Sequence, residues 1–399
     1  MNKKFYLFGL LVGLVFCMVA FTSCGGGDDD EIIPPTPPAP EPVPDPYAEM
    51  VQTPLTFEAI ADGTITFANK AAGDVTYSID GGEAHTIASQ STEGINIKAG
   101  QTVAFFGDNN YYNFSMFKST ADFYAYGNIM SLVSSTDYAN AKTLTELRVF
   151  SCLFYENTFL KSHPSKPLVL PATTLSENCY ESMFSGCTGM TIAPALPATT
   201  LADYCYNGMF MECTGLTTAP ALPAMNLAED CYGSMFRGCT GLTTAPALPA
   251  TTLTNYCYSS MFMDCTSLTT PPALPATTVT KSCYMDMFYR CSSLTTAPAL
   301  PATTLAAECY SNMFNSCTSL TSAPTLPAQT LTEECYMNMF TDCTKLRYVK
   351  CLAKDKSATD CTWDWLYGVD ANGIFIKAAS ASWTKGSNGI PSTWTVESE

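Results

Sequence analysis

The chain carries 399 residues and a formal net charge of −17, with 36 Asp and Glu against 19 Lys and Arg. That balance excludes nucleic acid and anionic lipid as partners and assigns the acidity to solubility. With residues 1–23 removed as a leader, 376 remain, enough for two domains with sizeable cores.

Lys3 and Lys4 precede an apolar run from Phe5 to Ala20, too short for a good membrane anchor and suited to a secretory signal. Phe21-Thr22-Ser23-Cys24 places small residues before a Cys, as a bacterial lipobox does, so Cys24 is the expected lipidation site. The run CGGGDDDE that begins there resembles surface-exported lipoproteins of the Bacteroidetes. The resemblance implies a palmitate-type lipid anchor in the outer membrane, with the chain facing the cell exterior. Residues 24–50 read as a tether: eight prolines between 34 and 46 make an extended spacer of roughly 40 Å, at about 3.1 Å per residue.

Residues 51–126 alternate apolar with polar side chains at Leu55, Phe57 and Ala59, Ile65 and Phe67, Val75, Tyr77 and Ile79, Ile95 and Ile97, and Val103 and Phe105. A period of two predicts half-buried strands. Turn signals at Asp62-Gly63, Gly73-Asp74, Asp80-Gly81-Gly82, Ala99-Gly100 and Gly107-Asp108 predict antiparallel hairpins in a small β-sandwich. The aromatic cluster Tyr111, Tyr112, Phe114, Phe117, Phe123, Tyr124 and Tyr126 suits either a core or a sugar platform.

From Cys179 to Cys361 the pattern CYxxMFxxC, followed by TxLTTAPALPATTL, returns every 26 residues, giving seven regular repeats over 179–360. A fixed short period is the mark of a solenoid whose units bury their apolar faces only against one another. With each anchoring Cys numbered 0, a helix at about 100° per residue gathers positions 0, 1, 4, 5 and 8 into one stripe and leaves the variable positions 2, 3, 6 and 7 facing solvent. Each coil is thus expected to be a short helix, a turn and a short Leu-Thr-Thr strand. Polyproline-like chain should follow, because prolines such as Pro194 and Pro197 donate nothing to a ladder. Strands about 4.8 Å apart inside helices about 8–10 Å apart would curve the stack into an arc.

Residues 127–178 read as a linker and an irregular first coil, in which Leu153-Phe154 and Asn157 stand where later coils have Met-Phe and the second Cys. Residues 361–399 hold all four tryptophans; Trp365 and Leu366 fall at the Met-Phe positions, and the segment reads as a cap over the open core.

The run from Met235 to Leu242, MFRGCTGL, is similar to the 26-residue bacterial surface repeat and the related BspA-type leucine-rich repeats. This resemblance covers about residues 149–370 and implies surface lipoproteins with leucine-rich-repeat-like solenoids, some of them adhesins for host matrix proteins. The expected fold class is therefore mixed: an N-terminal all-β sandwich followed by a curved leucine-rich-repeat-like α/β solenoid. APALPA replaces the alternating strand usual in that family, which puts the continuity of the inner sheet in question.

Two Cys eight residues apart on a helix lie about 12 Å apart, beyond disulfide reach, and neighbouring helices at about 8–10 Å are marginal, so buried thiols are preferred over bridges between coils. No CxxC follows Cys24 and no His lies in a regular repeat, so no metal or other cofactor is expected. No singular constellation of nucleophile and base interrupts the repeat, which argues against an enzyme.

The reading is a surface-exposed, monomeric, non-enzymatic binding or adhesion protein for a host protein or glycan. The alternatives are a structural or phase-variable display protein without a ligand and, more remotely, a glycan-active enzyme. The candidate binding surface is drawn from the variable positions: Met211, Glu212, Arg237, Met263, Asp264, Met285, Asp286, Tyr289, Arg290 and Met337.

Overall fold

The computed structural model describes residues 46–399; the leader, Cys24 and the tether up to residue 45 lie outside them. Alternation produces strands where expected, β1 (Leu55–Ala59), β2 (Gly63–Ala68), β3 (Val75–Ile79), β5 (Thr92–Ile97) and β6 (Thr102–Gly107), and adds β4 (Ala84–Ile87), β7 (Met116–Ser119) and β8 (Phe123–Asn128). They form two antiparallel groups, β8-β1-β6-β3-β4 and β5-β2-β7. Phe57 of β1 meets Phe117 of β7 at 4.8 Å, and Phe105 of β6 meets the same ring at 4.9 Å, so the two sheets touch through an aromatic layer. The expected hairpins are corrected: only Asp80-Gly81-Gly82 closes one, pairing Val75 with Ile87, while at the other four turn signals the chain crosses from one sheet to the other. Turn residues specify a reversal, and the partner strand is chosen by which face must be buried.

The tether ends earlier than its composition suggested. Residues Pro46–Val51 form a helix, α1, whose Met50 packs on Tyr126 and Val169. Strand β8 runs through the expected boundary at 126, and the first irregular coil supplies β9 (Leu160–Ser162) and β10 (Leu168–Val169), both parallel to β8. The N-terminal sheets and the coils therefore share one hydrophobic core, continuous from Leu55 to Trp394.

The largest correction concerns the repeats. The described residues are β-rich with almost no helix: α1 and a 3₁₀ turn at Ile129–Leu132 are their helical elements, and the CYxxMFxxC segments are trains of turns. In the coil anchored at Cys231, φ is positive at Asp230 (50°), Ser234 (54°) and Gly238 (71°), and this spacing of four recurs in every coil. Met235 N–H donates to the Tyr232 carbonyl across Ser234, the pattern of a type II turn, which wants a left-handed third residue.

Hydrogen bonding alternates along the train. Even positions donate within the coil, three residues back: Gly233 to Asp230, Met235 to Tyr232, Arg237 to Ser234, Cys239 to Phe236. Odd positions donate to even carbonyls of the next coil: Tyr232 to Cys257 at 3.1 Å, Ser234 to Ser259 at 2.8 Å, Phe236 to Met261 at 3.0 Å. Every backbone group of the train is thereby satisfied in a buried setting.

The Leu-Thr-Thr strand shrinks to single parallel bridges, such as Ile192 with Thr218 and Thr244 with Thr270, and a second row joins Thr174, Thr200, Asn226 and Thr252. Between the rows lie the prolines, so no continuous inner sheet forms.

Side chains at positions 1 and 5 build two columns. Tyr180, Tyr206, Tyr232, Tyr258, Tyr284, Tyr310 and Tyr336 stack at 5.7–6.1 Å, and the phenylalanines from Phe184 to Phe340 stack at 5.5–5.8 Å. Such pairs contribute about 0.5–1.5 kcal/mol each beyond area burial.

The N-terminal sheets act as a preceding coil: Tyr112 stacks on Phe150 at 5.6 Å, and Phe117 stacks on Phe154, also at 5.6 Å. At the far end Trp365 lies over Tyr336 at 6.2 Å and Trp383 over Trp365 at 5.4 Å. A parallel sheet of β11 (Tyr348–Cys351), β12 (Ile374–Lys377) and β13 (Thr395–Ser398) completes this end.

Candidate binding face

The side chains at positions −1, 2, 3, 6 and 7 of the train lie off the core columns; most are half-buried, some, such as Ser185, Ser259 and Ser311, are buried, and a few, such as Glu212, Arg290 and Tyr367, are exposed. The backbone there restricts the sequence. Positions −1, 3 and 7 require positive φ, which costs an ordinary residue about 1–2 kcal/mol and is easiest for Gly, Asn and Asp. Position 3 accordingly carries Ser182, Gly208, Ser234, Ser260, Asp286, Asn312, Asn338 and Asp364. The variability seen there is thus choice among turn-compatible residues, and only positions 2 and 6 are free of that demand.

Because each coil sits in register on the next, each position forms a row along the stack. Met285 and Met337 belong to the position 2 row, with Ser311 between them; Met211, Arg237, Met263 and Tyr289 follow one another in the position 6 row. The methionines, Arg237 and Tyr289 are half-buried, so the expected exposed apolar patch is corrected to two interrupted rows. Glu212 and Arg290, at position 7, are exposed; Arg290 lies over the Tyr289 ring at 5.0 Å and 3.8 Å from the Asp264 carboxylate. Asp286 is half-buried, and burial raises its carboxyl above the usual range while an Asn312 hydrogen bond opposes that.

Two residues that sequence reasoning assigned to the cap continue the same rows outward. Trp363, at position 2 of the last coil, is 48% exposed, and Tyr367, at position 6, is 60% exposed. Counting positions from Cys361 would have found them. Asp230 is a further half-buried carboxyl of this face: its pKa is pushed up to about 6 by burial, and its Oδ1 occupies the space a β-carbon at Gly233 would need, 1.8 Å away.

The chemistry available is that of recognition. The position 8 thiols donate backward to the preceding coil's Phe carbonyl, as Cys213 does to Phe184 at 3.1 Å and Cys239 to Phe210 at 3.0 Å. In the first coil Asn157 does the same through Nδ2 to Phe117 at 3.0 Å. Burial pushes the thiols of Cys187 and Cys265 up to about 12, so they are protonated at neutral pH and poor nucleophiles. His163 accepts the Lys166 N–H at 2.9 Å through Nδ1 and directs Nε2 at Glu58, 4.0 Å away, in a structural role between β8 and the first coil. Among the described residues there is no cluster of three metal-ligating groups, and no helix is long and apolar enough to cross a membrane.

The chain matches no protein-family model, no curated protein and no solved structure.

Proposed function

We propose that the protein is a surface-exposed lipoprotein, anchored at Cys24, that binds a host protein or glycan without chemical turnover. The observation that carries this reading is the register of the coils: a rigid ladder holds the position 2 and position 6 side chains in rows that end in exposed Trp363 and Tyr367. Aromatic residues of this kind dominate the energetics of recognition surfaces. The acidic, Pro-rich composition of residues 24–45 is in keeping with a tether in that role.

The test is binding of the intact mature chain to panels of extracellular-matrix proteins and glycans. Saturable binding to one class is expected, weakened about tenfold or more by Trp363→Ala with Tyr367→Ala. Both side chains are largely exposed, so the melting temperature should not move. Folded protein that binds nothing across the panels would favour the display reading.

A further inference from the structure

Three tyrosines stand at position 6 of their coils: Tyr155, Tyr289 and Tyr367. Two of them carry a cation from the chain itself. The Lys118 ammonium lies over the Tyr155 ring at 5.8 Å and the Arg290 guanidinium over the Tyr289 ring at 5.0 Å, and both rings are half-buried. Tyr367 is largely exposed, and among the described residues no cation lies over it.

The likeness between Tyr289 and Tyr367 extends to their neighbours. In each case position 7 of the preceding coil is an aspartate whose N–H donates to the tyrosine carbonyl: Asp264 to Tyr289 and Asp342 to Tyr367, both at 2.8 Å. Beside Tyr289 the set is completed by Arg290, whose guanidinium lies 3.8 Å from the Asp264 carboxylate. Beside Tyr367 the same position is Gly368, with a similar left-handed backbone, φ 70° against 58° at Arg290. The last coil thus keeps the ring and the carboxylate of an arginine site and has glycine in place of the arginine.

The surrounding charge agrees. Trp363, also exposed, donates its N–H to the Asp360 carbonyl at 3.0 Å, and Tyr367 donates to the Asp364 carbonyl at the same distance, so each ring closes a turn that an aspartate opens. Residues 333–342 and 359–368 hold five carboxylates and no lysine, arginine or histidine. Among the described residues none of the five forms an ion pair, whereas earlier in the stack Arg148 pairs with Glu181 and Lys281 with Glu308.

We propose that Tyr367 and Asp342, flanked by Trp363, receive an arginine side chain of a protein partner. This rests on the binding reading above and narrows its ligand to a protein with an exposed basic segment. An aromatic face attracts a guanidinium, and a carboxylate accepts its paired N–H groups, a fork that an ammonium does not offer. The clustered carboxylates repel sulfated or otherwise acidic glycans. A net charge of −17 likewise disfavours a second copy of this chain as the occupant.

The probe is a labelled Gly-Arg-Gly-Arg-Gly peptide, with its lysine counterpart, read on the intact mature chain by fluorescence anisotropy at low salt. The arginine peptide should bind at about 10–300 μM and the lysine peptide about threefold or more weaker. Asp342→Asn and Tyr367→Ala should each weaken binding about tenfold, without moving the melting temperature because both side chains are exposed. Gly368→Arg supplies the chain's own guanidinium and should abolish binding. Glu83→Gln removes one negative charge from the N-terminal sheets and should leave binding unchanged. The proposal is overturned if the arginine peptide fails to bind below about 1 mM, if the lysine peptide binds as tightly, or if Asp342→Asn or Gly368→Arg binds as the parent does. It is also overturned if Glu83→Gln weakens binding as much as Asp342→Asn, the mark of diffuse charge attraction. A matrix protein or glycan whose binding survives Gly368→Arg but is lost with Trp363→Ala and Tyr367→Ala would overturn this inference while the binding reading stands.

Discussion

Phe117 and Phe236 sit in regions built on different backbones, yet they perform one task. Phe117 lies in an antiparallel strand and Phe236 in a train of turns; each donates its N–H to the carbonyl at position 4 of the following coil, to Leu153 at 2.8 Å and Met261 at 3.0 Å. Each ring stacks on its successor, Phe154 or Phe262, and each carbonyl accepts a side-chain donor, Asn157 Nδ2 or Cys265 Sγ. A coil thus asks its neighbour for a flat ring and a pattern of donors and acceptors. The secondary structure that delivers them is secondary, which is how strands and turns share one core without a linker.

The comparison breaks most sharply at the rings. Phe236→Ala should cost about 3–5 kcal/mol, as a cavity inside the column, seen as a lowered urea midpoint. A loss under about 1 kcal/mol would show that the coils do not depend on packing as the strands do. At the junction, Asn157→Ala leaves the Phe117 carbonyl without its side-chain donor and should cost about 1–3 kcal/mol in the same assay. Asn157→Cys should restore much of it, because every regular coil uses a thiol there and Asn157 Oδ1 is itself unpartnered. Failure of that rescue would mean the two regions are joined by something other than the shared ladder.

The smallest effect tests the face rather than the core. Asp230 titrates near 6 in the folded chain and near 3.8 in a model peptide, so the native state binds more protons between those values. Stability should accordingly fall as pH rises through that window and stay reduced above it. Asp230→Asn should remove the dependence and raise stability at pH 7 by about 1 kcal/mol, a figure already reduced for solvent screening. Asn also tolerates the left-handed backbone at this position. Thermal melts of both proteins from pH 4 to 8 would show it; parallel curves would refute it.

Much of the core was legible. Positions 0, 1, 4, 5 and 8 are buried, as in Cys257, Tyr258, Met261, Phe262 and Cys265, all at most 1% exposed. The helix inferred from them was not there, because over nine residues a period of four and a period of 3.6 select the same face. The deciding signal lay in the other positions: Asn178, Ser182 and Gly186, or Asp360, Asp364 and Gly368, are left-handed turn formers spaced by four, and no helix favours them. The spacing argument against bridges between coils fell with the helix, since hydrogen-bonded coils lie closer than packed helices; the thiols are free in this structure. Strand positions in the N-terminal sheets were readable from alternation, but their pairing was not, since nothing local marks a crossing between sheets. Of the candidate face, the variable positions were legible and their depth was not: Met263 and Met337 are half-buried.

The ladder also has an electrical consequence. All odd-position N–H groups point toward later coils and all even-position carbonyls toward earlier ones, so their peptide dipoles add along the axis, as they do in a helix. The first coil should carry partial negative charge and the last partial positive charge. At the first coil the Lys118 ammonium donates to the Tyr155 carbonyl, and at the last Asn388 Oδ1 accepts the Asp364 N–H at 3.2 Å. The stack of coils is therefore polar along its own axis, and inserting another 26 residues would separate its poles further without altering what stands at either one.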